Sequence, residues 1–181
     1  MKGKSINRRQ FLQTSGYAAA GAAAIGSGAV VIAADGAWAL STTTLDQHAA
    51  MTLLRVSRML FPHDFLGDQY YAKVVEALDA QAANDPAMAT QIRDGIAALD
   101  STRDGIAFLD LSDGYAEDAI GSIEGTPFFG TMRGATINNL YGNPLVWRFF
   151  GYEGSSWQQG GYLHRGFDDA GWLDAIIESE A

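Results

Sequence analysis

Few positions in this chain have the residue types and spacing for chemistry: His63-Asp64, Ser155-Ser156, His164-Arg165 and Asp168-Asp169. A hydrolytic triad needs a serine, a histidine and an acid held in register. Ser155 and Ser156 follow Gly154, but the G-x-S-x-G turn that presents a nucleophile is missing. His48, His63 and His164 are not spaced as a metal pair on one helical turn. His63 reads as a cap or surface partner of Asp64, and His164 as a hydrogen-bonded loop residue. Asp110, Asp113 and Glu117 around Gly114 miss the ligand positions of a calcium loop. Gly151-Tyr-Glu-Gly154 lacks the Lys-Ser/Thr and the strand–helix unit of a phosphate cradle. Asp168-Asp169 reads as a solvated acidic turn. The sequence thus nominates no catalytic residue, cofactor-binding residue or metal ligand in this chain.

The N-terminal residues carry an address instead. Lys2, Lys4, Arg8 and Arg9 form a positive region, Phe11 to Ala34 an apolar one, and Ala37-Trp38-Ala39 a small-x-small cleavage site. Asn7-Arg8-Arg9-Gln10-Phe11-Leu12-Gln13 matches the twin-arginine export pattern, with Gln13 where Lys is frequent. Arg8, Arg9, Phe11 and Leu12 are therefore the export determinants, Ala37 and Ala39 the cleavage determinants, and Leu40 the expected mature start. The expected divisions are a signal over 1–39 and one domain over 40–181. The alternative is a retained anchor, since about 20 residues cross a bilayer, but Ala and Gly bring little transfer energy, and Gly16, Gly21, Gly26 and Gly28 lower helix propensity.

The first 39 residues hold four of the 12 basic side chains and one of the 21 acidic ones, which leaves eight and 20, net −12. Nucleic acid or anionic lipid as a partner needs a basic face, so this charge argues against both. With no cysteine, the chain forms no disulfide and offers no thiolate for an iron–sulfur cluster or attachment point for c-type haem.

The mature chain reads as all-α, with four to six helices and a long irregular C-terminal segment rich in glycine and aromatics. Leu45, Ala49, Leu53, Val56 and Leu60 share a helical face, and the spacing predicts a helix over 43–61 that begins at Thr43 and stops at Pro62. A second is predicted over 68–83, with Tyr71, Val74, Val75 and Leu78 inward. Asp85-Pro86 opens a third, followed by Met88, Ile92, Ile96 and Leu99. A short helix is predicted over 113–123. Thr126-Pro127 starts another, with Phe128, Met132, Thr136 and Leu140 on one face, and Asn143-Pro144 ends it. The stretch from Arg93 to Asp100 is nearly repeated from Arg103 to Asp110, too few copies for a repeat architecture.

Of the 17 aromatic residues beyond position 39, 11 lie between Phe128 and Trp172, and no regular period runs through the stretch from Gly151 to Leu173. Such a segment either wraps the helical body or lies on another protein. Aromatic anchors are enriched at interfaces, so Phe128, Phe129, Trp147, Tyr152, Trp157, Tyr162, Phe167 and Trp172 are the expected interface residues.

Gly125-Thr-Pro-Phe-Phe129, Thr136, Tyr141-Gly-Asn-Pro144, Trp147, Gly151-Tyr-Glu-Gly154, Gly160-Gly-Tyr162, Gly166-Phe-Asp-Asp169 and Trp172-Leu173 together resemble the gluconate 2-dehydrogenase subunit 3 family. Leu60-Phe-Pro-His63 and Tyr70-Tyr-Ala72 are similar to its N-terminal part, whereas the stretch from Ala83 to Ser122 is not distinctive. The resemblance implies a non-catalytic small subunit, with 124–173 as its partner-binding segment. The implied partner is a large FAD-binding subunit of the glucose–methanol–choline type that oxidises a sugar, sugar acid or glycoside. A cytochrome c subunit, with its haem, often accompanies such pairs.

The twin-arginine translocase moves folded, cofactor-loaded proteins, yet this chain shows no cofactor motif. A partner loaded with FAD would need that route, and Arg8 and Arg9 would serve both chains. The expectation is an escort and stabilising subunit in the periplasm, associated with the membrane through its complex. The other classes left open are a standalone periplasmic binding module and an enzyme with a dispersed site around His63, Asp168 and Asp169.

Overall fold

In the computed structural model, residues 30–32 and 39–163 are described, the former as backbone only. They form an all-α domain. Its elements are β1 (Val30–Ile32), β2 (Ala39–Ser41), α1 (Gln47–Leu60), α2 (Asp68–Asn84), α3 (Pro86–Asp100), α4 (Asp113–Ser122), α5 (Pro127–Thr136) and α6 (Pro144–Trp147). The strands make a two-stranded antiparallel ladder in which Val31 faces Leu40. Helical periodicity did not foreshadow this ladder; the β-branched run Val30-Val31-Ile32 is the local preference behind it.

α1 starts later than the pattern of Thr43 and Asp46 predicts. Asp46 is the N-cap, its carboxylate accepting from the Ala49 amide at 2.8 Å. The amides of Thr43, Thr44 and Leu45 cannot lead a helix because they point at Asp79 on α2, at 2.8, 2.9 and 2.9 Å. α2 runs from Asp68, which meets Arg58 of α1 at 3.0 Å. Asp85 caps α3, with Pro86 in its first turn. Thr126 caps α5, accepting from the Phe129 amide at 3.2 Å, again with a proline in the first turn. In both helices the proline fills a position whose amide would have had no intrahelical partner.

One core lies between α1, α2, α3 and α5. Leu53 and Val56 of α1, Tyr71, Val74, Val75 and Leu78 of α2, Ile92 and Leu99 of α3, and Met132 of α5 are all buried. A π-helical turn over Ile137–Tyr141 carries Leu140 into the same core. The turn closes against Gly142, where a Cβ would stand 2.1 Å from the Asn138 carbonyl oxygen. Glycine is thus the residue that lets the chain turn towards α6.

The two near-identical stretches adopt different structures. The first is the end of α3; the second is a turn followed by a 3₁₀ turn at Phe108–Asp110. They meet directly, since Asp100 accepts from the Phe108 amide at 2.9 Å. Arg55 of α1 fixes the second stretch, donating to the carbonyls of Phe108, Leu109 and Leu111 at 2.7, 3.0 and 2.7 Å. Its guanidinium also stacks over the Phe108 ring. The fork geometry of arginine suits it to hold several acceptors at once.

Candidate partner-binding surface

The α1–α2 loop brings His63 and Phe65 against the segment that follows α5. His63 Nε2 and the Tyr141 hydroxyl share a hydrogen bond of 2.6 Å. Burial raises the Tyr141 pKa above the ordinary phenol value, so that hydroxyl keeps its proton at neutral pH. Around this pair the rings interlock edge to face. His63 lies 5.1 Å from Phe150, Phe65 lies 5.4 Å from Phe150, and Tyr70 lies 5.5 Å from Phe149. These are the separations at which aromatic pairs attract. Phe65, Phe149 and Phe150 nevertheless remain exposed on their outer faces.

Beyond this cluster the chain runs outward. Trp147 is half-buried; its indole N–H donates to the Tyr141 carbonyl, and its ring packs 5.1 Å from Tyr152. Gly151 (φ 68°) and Gly154 (φ 97°) turn the backbone through left-handed conformations that a side chain would strain. The segment then has only a 3₁₀ turn over Ser156–Gln159 before Leu163. Here the side chains stand in solvent: Trp157 is 88% exposed, Tyr162 68% and Leu163 78%.

The expected interface residues fall into several groups. Phe128 is 3% exposed and packs the body. Its ring fills the space beside Gly95, so it is a core residue, not a surface anchor. Phe129 is half-buried against the same core. Trp147 is bound to its own chain, whereas Tyr152, Trp157 and Tyr162 face outward. Phe167 and Trp172 lie outside the described residues, as do Arg8, Arg9, Phe11, Leu12 and Ala37. Ala39 is an exposed residue of β2. Phe65, Phe149, Phe150, Leu145 and Leu163 were not nominated from sequence, yet all are exposed. The adjacent pair Phe149-Phe150 was the usable signal, because a single short turn cannot bury two neighbouring rings.

The histidines also depart from expectation. His63 pairs with Tyr141 rather than Asp64, and His48 pairs with Asp100 at 2.7 Å. His164, Asp168 and Asp169 lie outside the described residues. No group of three His, Asp or Glu side chains suited to a metal ion occurs among the described residues.

A separate cleft of about 580 Å³ opens between α3 and the start of α5. Ala87, Gln91, Asp94, Gly95, Pro127 and Phe128 line much of it. Gln91 braces its rim, donating to the Pro127 carbonyl at 3.0 Å and the Thr131 hydroxyl at 2.6 Å. No known protein family, curated protein or solved structure matches this chain.

Proposed function

We propose that this chain is the non-catalytic escort and stabilising subunit of an exported FAD-dependent dehydrogenase complex that oxidises a sugar, sugar acid or glycoside. The observation that carries the reading is the exposure of the aromatic side chains Tyr152, Trp157 and Tyr162, together with that of the Phe65, Phe149 and Phe150 cluster. Exposed rings of this kind are the anchors that partner proteins cover. His63, Tyr141 and Trp147 tie Phe150 and Tyr152 to the helical body, which lowers the ordering cost of binding at those two rings.

The identity of the partner rests on two features of the sequence. One is the twin-arginine pattern at Arg8 and Arg9, on a chain whose motifs call for no cofactor. The other is the resemblance to the gluconate 2-dehydrogenase subunit 3 family, whose motifs include Tyr141-Gly-Asn-Pro144, Trp147 and Gly151-Tyr-Glu-Gly154. Those residues build the base of the aromatic surface. On this reading FAD is held by the large glucose–methanol–choline-type subunit, and haem c by a cytochrome subunit where one is present. The site of action is the periplasm, reached through the twin-arginine translocase.

A standalone binding module is the second reading, favoured by the cleft between α3 and α5. One experiment separates the two. The chain is affinity-purified from the periplasm and from the detergent-solubilised membrane, and the visible spectrum of each eluate is recorded. Flavin bands from a co-purified large subunit support the escort reading. A lone chain that binds a sugar supports the module.

A further inference from the structure

The expected cleavage bond, Ala39–Leu40, lies inside the folded domain. Ala39 and Leu40 belong to β2, which is paired to Val30–Ile32 on the other side of the cleavage site. Leu40 is 0% exposed and belongs to the main core cluster. The residues after it are fastened as well. Thr42 donates to the Leu45 carbonyl at 2.6 Å. The Asp79 carboxylate takes the amides of Thr43, Thr44 and Leu45 and the Thr43 hydroxyl, all between 2.8 and 3.0 Å. Asp79 is itself buried, with 5% of its surface exposed. The chain is thus clamped from Leu40 to Leu45 and held across the cleavage site by the ladder.

A signal peptidase reads small residues at the first and third positions before its bond and needs that stretch free of the substrate's own fold. Here the residue after the bond is a core leucine. Freeing it opens the ladder and exposes a fully buried side chain, and local opening of this kind is rare in a packed segment. Substrates of the twin-arginine route arrive folded, so the peptidase would meet the bond in this closed state. Upstream of the ladder, Phe11 to Ala29 is 19 residues without a charged side chain, mostly alanine and glycine with few large aliphatics; its length is close to the roughly 20 residues of a bilayer crossing, and its apolar driving force is weak. Lys2, Lys4, Arg8 and Arg9 precede it and favour an N-terminus held on the cytoplasmic side.

We propose that the folded domain withholds the Ala39–Leu40 bond from signal peptidase, so that the export segment stays attached and tethers the chain to the membrane. The tether gives the chain a further function, fixing the complex at the bilayer surface. This inference rests on the export reading above.

The test uses the full chain expressed with its partner. The cell envelope is fractionated and washed with alkaline carbonate, and the intact mass of the chain is measured. The expected result is a periplasm-facing, carbonate-resistant chain that retains residues 1–39, apart from the initiator Met. A soluble periplasmic chain beginning at Leu40 overturns the proposal and leaves the export reading standing. A chain found only in the cytoplasm overturns both. A second measurement is independent of export: purified signal peptidase acts on the folded full chain and on a synthetic peptide spanning residues 26–45. Cleavage of the folded chain at Ala39–Leu40 is expected to be slower by a factor on the order of tens, the cost of exposing a buried leucine. Equal rates overturn the proposal.

Discussion

The ring of Phe128 occupies the space that a side chain at Gly95 would need: a Cβ on Gly95 would stand 2.1 Å from the ring's Cγ. α3 and α5 therefore approach at a glycine, and the aromatic sinks into the gap. Replacing a helical glycine by alanine ordinarily stabilises by about 0.5–1 kcal/mol. Here the methyl group meets the root of a buried ring, which cannot swing away as a flexible chain end would. Gly95→Ala is expected to destabilise the domain by about 1–3 kcal/mol, the usual cost of overpacking. Thermal or urea unfolding of the purified chain measures it, and a gain in stability would remove Phe128 from the core position assigned to it.

Asp79 makes the fold sensitive to acid. Burial alone would raise its pKa, but the backbone amides of Thr43, Leu45 and Thr44 and the Thr43 hydroxyl outweigh it and hold the value below the ordinary carboxylate range. A depressed folded-state pKa means that the unfolded chain binds the proton more readily. The stabilisation is therefore fully present above the unfolded value, about 3.9, and is lost as pH falls through the folded value. Asp79→Ala leaves three backbone donors without their acceptor and is expected to cost about 3 kcal/mol at neutral pH. The variant's stability should also change less than that of the parent as pH falls below about 4. Urea titrations from pH 7 to pH 3 test both points, and parallel curves for the two proteins would contradict the assignment.

Thr52 supplies the opposite case. It is fully buried on α1, and its hydroxyl has no hydrogen-bond partner. An unmet buried hydroxyl costs about 1–3 kcal/mol, while the methyl of valine fills the same volume. Thr52→Val is expected to raise stability by about 1 kcal/mol. A loss of similar size in urea unfolding would mean that the hydroxyl is satisfied in solution.

The helical body was legible from periodicity because its interior faces follow local rules. Val74, Val75 and Leu78, and Met132, Thr136 and Leu140, are spaced by the helical repeat, and all are buried. The features that were not legible depend on distant partners. The start of α1 moved because Asp79, some 35 residues on, takes the amides that would otherwise lead the helix. Phe128 reads as an anchor until Gly95 is seen beneath it. The near-repeat diverges because Arg55 holds one copy by its carbonyls. Neither copy's sequence contains that information. Among the candidate surface residues, aromatic density did not tell which rings the body would keep for itself: Phe128 is buried, whereas Trp157 and Tyr162 stand in solvent.

Trp157 is the cleanest probe of the surface. With 88% of its area exposed, its loss should leave the stability of the lone domain within about 0.5 kcal/mol. As a central anchor its removal should weaken the complex by about 2 kcal/mol or more. Trp147 is a poorer probe, since Trp147→Ala also breaks the bond to the Tyr141 carbonyl. Affinity and unfolding measured together on Trp157→Ala distinguish the two roles. A destabilised domain with unchanged affinity would place the interface elsewhere.

The central claim, that this chain escorts a flavoprotein across the membrane, is tested most directly by Arg8→Lys combined with Arg9→Lys. Lysine keeps the positive charge but lacks the planar donor fork of the guanidinium, so only the recognised feature is lost. Cells carrying the double variant are fractionated, and FAD-dependent dehydrogenase activity is assayed in cytoplasm, membrane and periplasm. The account predicts that the unaltered large subunit stays in the cytoplasm, folded and holding FAD, together with this chain. Normal activity of the large subunit in the periplasm would show that it travels by its own route, and would contradict the escort role.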